Sequence, residues 1–70
     1  MERTELVQQC RRKLHDINNQ LGAITGYGGL LQEDSNLSPE QKHSLEIMVN
    51  TALHAGNIIQ ELYDILKKLS

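Results

Sequence analysis

The chain has 70 residues, with 7 basic and 9 acidic side chains, a formal net charge of −2, one cysteine and no tryptophan or phenylalanine. This size predicts one domain with a small core, and the charge balance and the scarcity of aromatic rings argue against a nucleic-acid binder. No stretch approaches the roughly 18 apolar residues that span a bilayer. We therefore expect a cytoplasmic segment without membrane contact, although the full-length protein could be membrane-anchored. Because the chain has neither a second cysteine for an internal disulfide nor a metal-site pattern to stabilise a small core, we also expect a second chain to complete that core.

Apolar or small residues recur at alternating steps of three and four through the first half of the chain. This heptad pattern, which no proline interrupts, predicts a helix from about residue 3 to about residue 33. Cys10 falls within the pattern, so we expect it to be a small buried hydrophobe. Each glycine in a helix interior lowers the stability of the helix by up to about 1 kcal/mol relative to alanine. We interpret the four glycines either as a weak, bent or broken stretch of helix or as room for close approach by another surface. The pattern comprises Val7, Cys10, Leu14, Ile17, Leu21, Ile24, Gly28 and Leu31, and the glycines are Gly22, Gly26, Gly28 and Gly29.

Turn-forming residues at 34–38 separate this helix from a second one, predicted over about 39–69. Ser38 is an N-cap candidate, Pro39 falls at the first helical position, and Gln41 completes a Ser-x-x-Gln capping box. The second helix repeats the heptad pattern at Leu45, Met48, Ala52, Ala55, Ile59, Leu62, Leu66 and Leu69.

Two helices joined by a short loop form an antiparallel hairpin. The apolar stripe of the second helix is wide enough to contact two neighbours, as in a four-helix bundle. We therefore predict an all-α domain over residues 1–70, in which two hairpins related by a two-fold axis form a homodimeric four-helix bundle.

His15 lies off the apolar stripe of the first helix, so we expect it to face solvent. Asn19 lies one helical turn further along the same face, and Gly22 and Gly26 continue that face. A neutral imidazole is a nucleophile, and a carboxylate that accepts a hydrogen bond from its other nitrogen fixes the tautomer and raises basicity. Asp16 is adjacent and could play this part. By itself, however, an exposed helical histidine is most often only a surface residue.

The other charged and titratable residues carry weaker signals. Arg11, Arg12 and Lys13 precede the histidine and could steer phosphate or an acidic partner surface. His43 and His54 are too far apart along the helix to form an i,i+4 ligand pair, so we expect no metal site.

The run from Leu14 to Leu31 resembles the H-box of sensor histidine kinases. That pattern consists of His, an acid, two residues, Asn or Thr, often Pro, Leu, and then a stretch of small residues and Ile that ends in Gly-Tyr-x-x-Leu-Leu. The resemblance covers about half of the chain closely, and the second helix matches in length and apolar repeat. It implies the dimerisation and histidine phosphotransfer (HisKA-type) domain, a dimeric four-helix bundle in two-component signalling.

The resemblance also implies roles for individual residues. His15 would be phosphorylated on its imidazole from ATP, with Asp16 as base or orienter, and would pass the phosphoryl group to an aspartate of a response regulator. Asn19 would support dephosphorylation of that regulator. A separate catalytic domain would bind ATP and magnesium, so we expect no cofactor in this chain and no autophosphorylation by it alone. The partners would be a second copy, that catalytic domain and a receiver domain.

Gln20 departs from the pattern because it replaces the frequent proline, which favours a straighter helix. It also completes His-Asp-x-x-x-Gln, the pattern of another subfamily in which the glutamine positions the hydrolytic water, so Gln20 is the alternative to Asn19. Two other functions stay open: a stand-alone phosphorelay phosphotransferase fed by a phosphorylated regulator, and a dimerisation hairpin without catalytic function. Phosphorylation within one chain or between chains also stays open.

Overall fold

The structure, a computed structural model that describes residues 2–69, consists of two long helices joined by a short loop. Helix α1 spans Arg3–Gln32 and helix α2 spans Pro39–Leu69. They pack side by side into a rod that measures 53 × 15 × 13 Å. The predicted all-α hairpin is confirmed. Within the described residues, neither helix combines the length and the hydropathy that crossing a bilayer requires.

The capping box at the start of α2 forms as predicted. The Ser38 backbone N–H donates to Gln41 Oε1 at 2.8 Å, and the Gln41 backbone N–H donates to Ser38 Oγ at 3.1 Å. Pro39 is the first residue of α2, where its missing N–H leaves no helical hydrogen bond unmade. Before it, the Asn36 N–H donates to Asp34 Oδ1 at 2.9 Å. These local bonds end one helix and start the next within a few residues.

The heptad stripe of each helix divides into two columns with different surroundings. In each helix, one column packs against the other helix and is buried or half-buried, whereas the second column points away and is exposed except at Ala55, which is half-buried. A single hairpin covers only one column because each helix has only one neighbour. Cys10 lies in an outer column and is exposed, so the expectation that it is buried is wrong for the hairpin alone. The inner columns are Val7, Leu14, Leu21 and Gly28 with Leu45, Ala52, Ile59 and Leu66; the outer columns are Cys10, Ile17, Ile24 and Leu31 with Met48, Ala55, Leu62 and Leu69.

The core inside the hairpin is small. Its main cluster consists of Val7, Leu14, Ile59 and Leu66, each no more than 9% exposed. By contrast, Ile17 in the outer column is 50% exposed. No described side chain falls below 2% exposure, so the hairpin alone leaves much apolar surface in contact with water.

The glycines of α1 do not break it, because the helix is continuous to its end and none of the described glycines has a positive φ. They serve different purposes. Gly28 is buried, and a Cβ added there would lie 2.6 Å from Val49 Cγ2, whereas a Cβ on Gly22, Gly26 or Gly29 would have no atom within 4 Å. Gly28 therefore allows close approach of the two helices, and the other three leave open surface.

Candidate functional site

His15 lies near the middle of α1 and is exposed. Its neighbour Leu14 packs in the inner column, and successive helical residues are rotated by about 100°, so the imidazole projects away from the core. Within residues 2–69 the His15 side chain has no hydrogen-bond or ion-pair partner. Both ring nitrogens are therefore accessible to another molecule.

The antiparallel register fixes what lies beside His15 on α2. Gly28 lies opposite Val49, and the Asn18 side chain lies 4.0 Å from the position of a Cβ on Gly56. By this register, in which a residue of α1 and the one opposite it on α2 move in opposite directions along the chain, His15 lies level with about the segment 59–62, in the C-terminal third of α2. The candidate site is thus remote from the loop and lies over the best-buried part of the hairpin.

Asp16 does not contact His15 in the hairpin. Adjacent helical side chains do not face each other, and Asp16 instead borders a groove on the outer side together with Arg12 and Lys13. Within the described chain it has no hydrogen bond or ion pair. A contact between the carboxylate and the imidazole requires that both side chains rotate towards each other.

Asn19 and Gln20, the two candidates for orienting the hydrolytic water, lie on different faces of α1. Asn19 lies one turn beyond His15, rotated by only about 40° from it and displaced by about 6 Å along the axis. Gln20 is rotated by about 140° and lines a groove on the outer side, with Ile24 and Tyr27. Only Asn19 shares a helix face with His15, so the geometry favours Asn19 over Gln20.

We define the His15 face as Arg11, His15, Asn19, Gly22 and Gly26, which follow one another at steps of three or four on α1. Beyond Asn19 this face carries only glycine, so the helix backbone is open to a flat surface. A shallow depression of about 280 Å³ borders this face where α1 meets α2. It is lined by Asn18, Leu21, Gly22, Thr25, Ala52, Leu53, Gly56 and Asn57.

The basic run before His15 is not one unit, which the sequence analysis missed. Arg12 and Lys13 border the outer groove, whereas Arg11 is half-buried and lies on the His15 face. The 100° helical step separates only Lys13, which lies about 160° from His15, since Arg11 and Arg12 lie about 40° and about 60° from it on opposite sides.

The outer side of the hairpin forms a second candidate site. We call the two outer columns the outer apolar face. A groove of about 800 Å³ lies along it towards the free ends of the helices, bordered by residues such as Cys10, Leu62 and Ile65, and a second groove of about 300 Å³ lies towards the loop, bordered by residues such as Ile24 and Met48. This face turns away from the His15 face.

The remaining histidines lie apart from the site. His43 and His54 are exposed on α2. No three His, Cys, Asp or Glu side chains within residues 2–69 group closely enough to hold a metal ion.

Comparison with protein families identifies the domain. The family model of the His Kinase A (phospho-acceptor) domain matches residues 14–69. The chain belongs to this family. Comparisons with curated proteins and with solved structures gave no match.

The match confirms the identification made from the H-box. Its first matched residue is Leu14, directly before His15, and it extends through both helices. As a His Kinase A domain, the chain has a phosphoacceptor and dimerisation role in a histidine kinase of two-component signalling. The His15 face and the outer apolar face lie on different sides of this His Kinase A domain, so two such roles need not compete for residues.

Proposed function

We propose that His15 is the phosphoacceptor of this domain. Its unprotonated ring nitrogen attacks the γ-phosphorus of ATP that a separate kinase domain holds together with magnesium. The new P–N bond forms as the bond from phosphorus to the bridging oxygen breaks, ADP leaves, and the proton on the other ring nitrogen passes to a base. The observation that carries this proposal is the exposed and unpaired imidazole at the start of the family match. Little further covalent chemistry is required of the protein.

Asp16 is the base or orienter in this step. Its carboxylate is one residue away and is not engaged by any other described side chain, so it is available to rotate. Once it accepts the ring N–H, it selects the tautomer whose other nitrogen attacks. The separation of the two side chains in the hairpin implies that this contact forms when the kinase domain docks.

The phosphoryl group then passes to an aspartate of a receiver domain. The P–N bond breaks as a P–O bond to the carboxylate forms, and the departing imidazole takes up a proton from solvent to return to its unmodified state. Gly22 and Gly26 support this step because nothing lies within 4 Å of either Cβ position, which lets the receiver approach the backbone of α1. In this proposal Asn19, one turn from His15, orients the water that later hydrolyses the aspartyl phosphate.

Radiolabel transfer from ATP tests the proposal. The chain is incubated with the ATP-binding domain of its own kinase, and wild type is compared with His15→Gln and with the matched variant His54→Gln, since both histidines are exposed on a helix. We expect acid-labile label on the wild type and on His54→Gln and none on His15→Gln. Label that persists on His15→Gln contradicts the proposal.

We also propose that a second copy covers the outer apolar face, giving a homodimeric four-helix bundle. The large side chains of that face are from 40% to 56% exposed in one hairpin, and they form a continuous stripe along both helices. Monomeric proteins rarely leave such a large contiguous apolar surface in water. A two-fold axis along the rod would bury both grooves at once and keep each His15 face on the outside.

Light scattering at tens of micromolar tests the dimer. We expect a particle of about 16 kDa, twice the chain mass of 7.9 kDa. Ile24→Lys places a charge in the middle of the outer apolar face and should give the monomer mass, whereas Gly26→Lys adds the same charge on the His15 face and should not. A monomer-sized wild type, or equal behaviour of the two variants, contradicts this assembly.

A further inference from the structure

The three cations before His15 point in three directions. Successive side chains leave a helix about 100° apart, so Lys13 lies on the far side of α1 from His15, whereas Arg11 and Arg12 are four and three residues before it and flank it. Arg12 and Lys13 border the groove of the outer apolar face. Of the three cations only Arg11 is half-buried, and it does not border that groove.

The spacing brings Arg11 beneath the imidazole. Residues four apart on a helix are neighbours, with Cβ atoms about 5–6 Å apart. Helical side chains lean towards the N-terminus, so the His15 ring leans over the turn that carries Arg11. Arg11 is half-buried, which fits an arginine whose apolar stem packs against the hairpin while its guanidinium stays in solvent.

The guanidinium of Arg11 is not engaged elsewhere in the described chain, where it makes no hydrogen bond or ion pair. In the antiparallel register of the hairpin, Arg11 lies level with about the segment 63–66 of α2. Asp64 is the charged residue of that stretch, and no bond joins it to Arg11 in the structure. The five N–H donors of Arg11 are therefore available to an incoming anion.

We propose that Arg11 binds the phosphoryl group carried by His15. Its planar guanidinium donates hydrogen bonds to phosphoryl oxygens, a geometry that suits phosphate better than the point charge of lysine does. This inference rests on the proposed function of His15. It assigns to one residue the anion binding that the sequence suggested for the whole basic run.

A small phosphate donor tests the proposal without the kinase domain. Phosphoramidate is the probe: its P–N bond breaks, ammonia leaves, a P–N bond to His15 forms and the ring proton passes to solvent. The background variant carries His43→Gln and His54→Gln, so that His15 is the only histidine. Phosphorylation rate and the ³¹P NMR pH titration of the phosphohistidine are then measured for Arg11→Gln, Arg11→Lys and the matched control Lys13→Gln, whose cation lies on the opposite side of α1.

We expect Arg11→Gln to slow phosphorylation about two- to fivefold, the size of an exposed charge interaction. It should also raise the pKa of the phosphoryl group, because a nearby cation favours the dianion. Arg11→Lys should recover part of both effects, and Lys13→Gln should leave both unchanged. Equal rates and equal titration curves for Arg11→Gln and Lys13→Gln overturn the proposal.

A purely structural role for Arg11 is distinguished by Asp64→Asn. If Arg11 only held α1 to α2 through Asp64, Asp64→Asn would slow phosphorylation and lower the melting temperature as much as Arg11→Gln does. That result overturns the proposal. We expect Asp64→Asn to leave the rate unreduced. The phosphoramidate experiment and the ATP experiment can fail separately. In the ATP experiment, label on a residue other than His15 refutes the phosphoacceptor assignment. The phosphoramidate experiment still reports whether Arg11 binds a phosphoryl group on His15.

Discussion

Replacing Gly28 by alanine should destabilise the domain, although alanine is the better helix former. The added Cβ would lie 2.6 Å from Val49 Cγ2, about 1 Å inside ordinary contact. Val49 cannot easily turn away, because one χ1 rotamer dominates for valine in a helix. Overpacking costs typically about 1–3 kcal/mol, and the gain in helix propensity offsets up to about 1 kcal/mol of that. When the full gain in helix propensity is subtracted, the expected net loss in free energy of unfolding is up to about 2 kcal/mol.

Gly22→Ala and Gly26→Ala are the matched controls, because a Cβ at either position meets no atom within 4 Å. They should raise the free energy of unfolding by up to about 1 kcal/mol. Urea and thermal unfolding followed by circular dichroism, at one fixed chain concentration because assembly affects stability, measure all three variants. A shift of about 1 kcal/mol corresponds to about 4–8 °C for a domain of this size. If Gly28→Ala is stabilised as much as Gly26→Ala, the inferred close approach is wrong.

Two further predictions concern the loop and the site. Ser38→Ala removes the oxygen that accepts from the Gln41 N–H and should lower the free energy of unfolding by about 0.5–2 kcal/mol; an unchanged urea midpoint would show that the capping box does not stabilise α2. With a phosphorylated receiver as substrate, Asn19→Ala should slow dephosphorylation about tenfold, the loss expected for a hydrogen bond to a charged group, and Gln20→Ala should not. The opposite ranking, measured as phosphate release, would assign the water to Gln20.

The helices and their ends could be predicted from sequence because the interactions that form them are local. The heptad repeats require only neighbouring residues of one helix, and the Ser38–Gln41 bonds span three residues. The place of His15 off the apolar stripe follows in the same way from the helical period. The contact that Asp16 could make with His15 is not present in the hairpin, because adjacent helical side chains do not face each other.

The division of the heptad positions into inner and outer columns could not be read from the pattern. Leu14 and Ile17 are equivalent in a stripe of alternating steps, yet Leu14 is 9% exposed and Ile17 is 50% exposed. The difference depends on the direction in which the second helix packs. The same direction decides that Cys10 is exposed in the hairpin and that Arg11, rather than Arg12, is half-buried.

The sequence alone determined two amphipathic helices, the capped turn between them, the outward position of His15 and, through the H-box, the family. All of these depend on residue identities within a few turns of chain. Only the tertiary structure decided that Gly28 lies against Val49 while Gly22 and Gly26 lie open, and that the outer apolar face and the His15 face turn away from each other. These features depend on where a second helix, distant in sequence, meets the first one, and a periodic pattern does not specify the direction or the register of that contact.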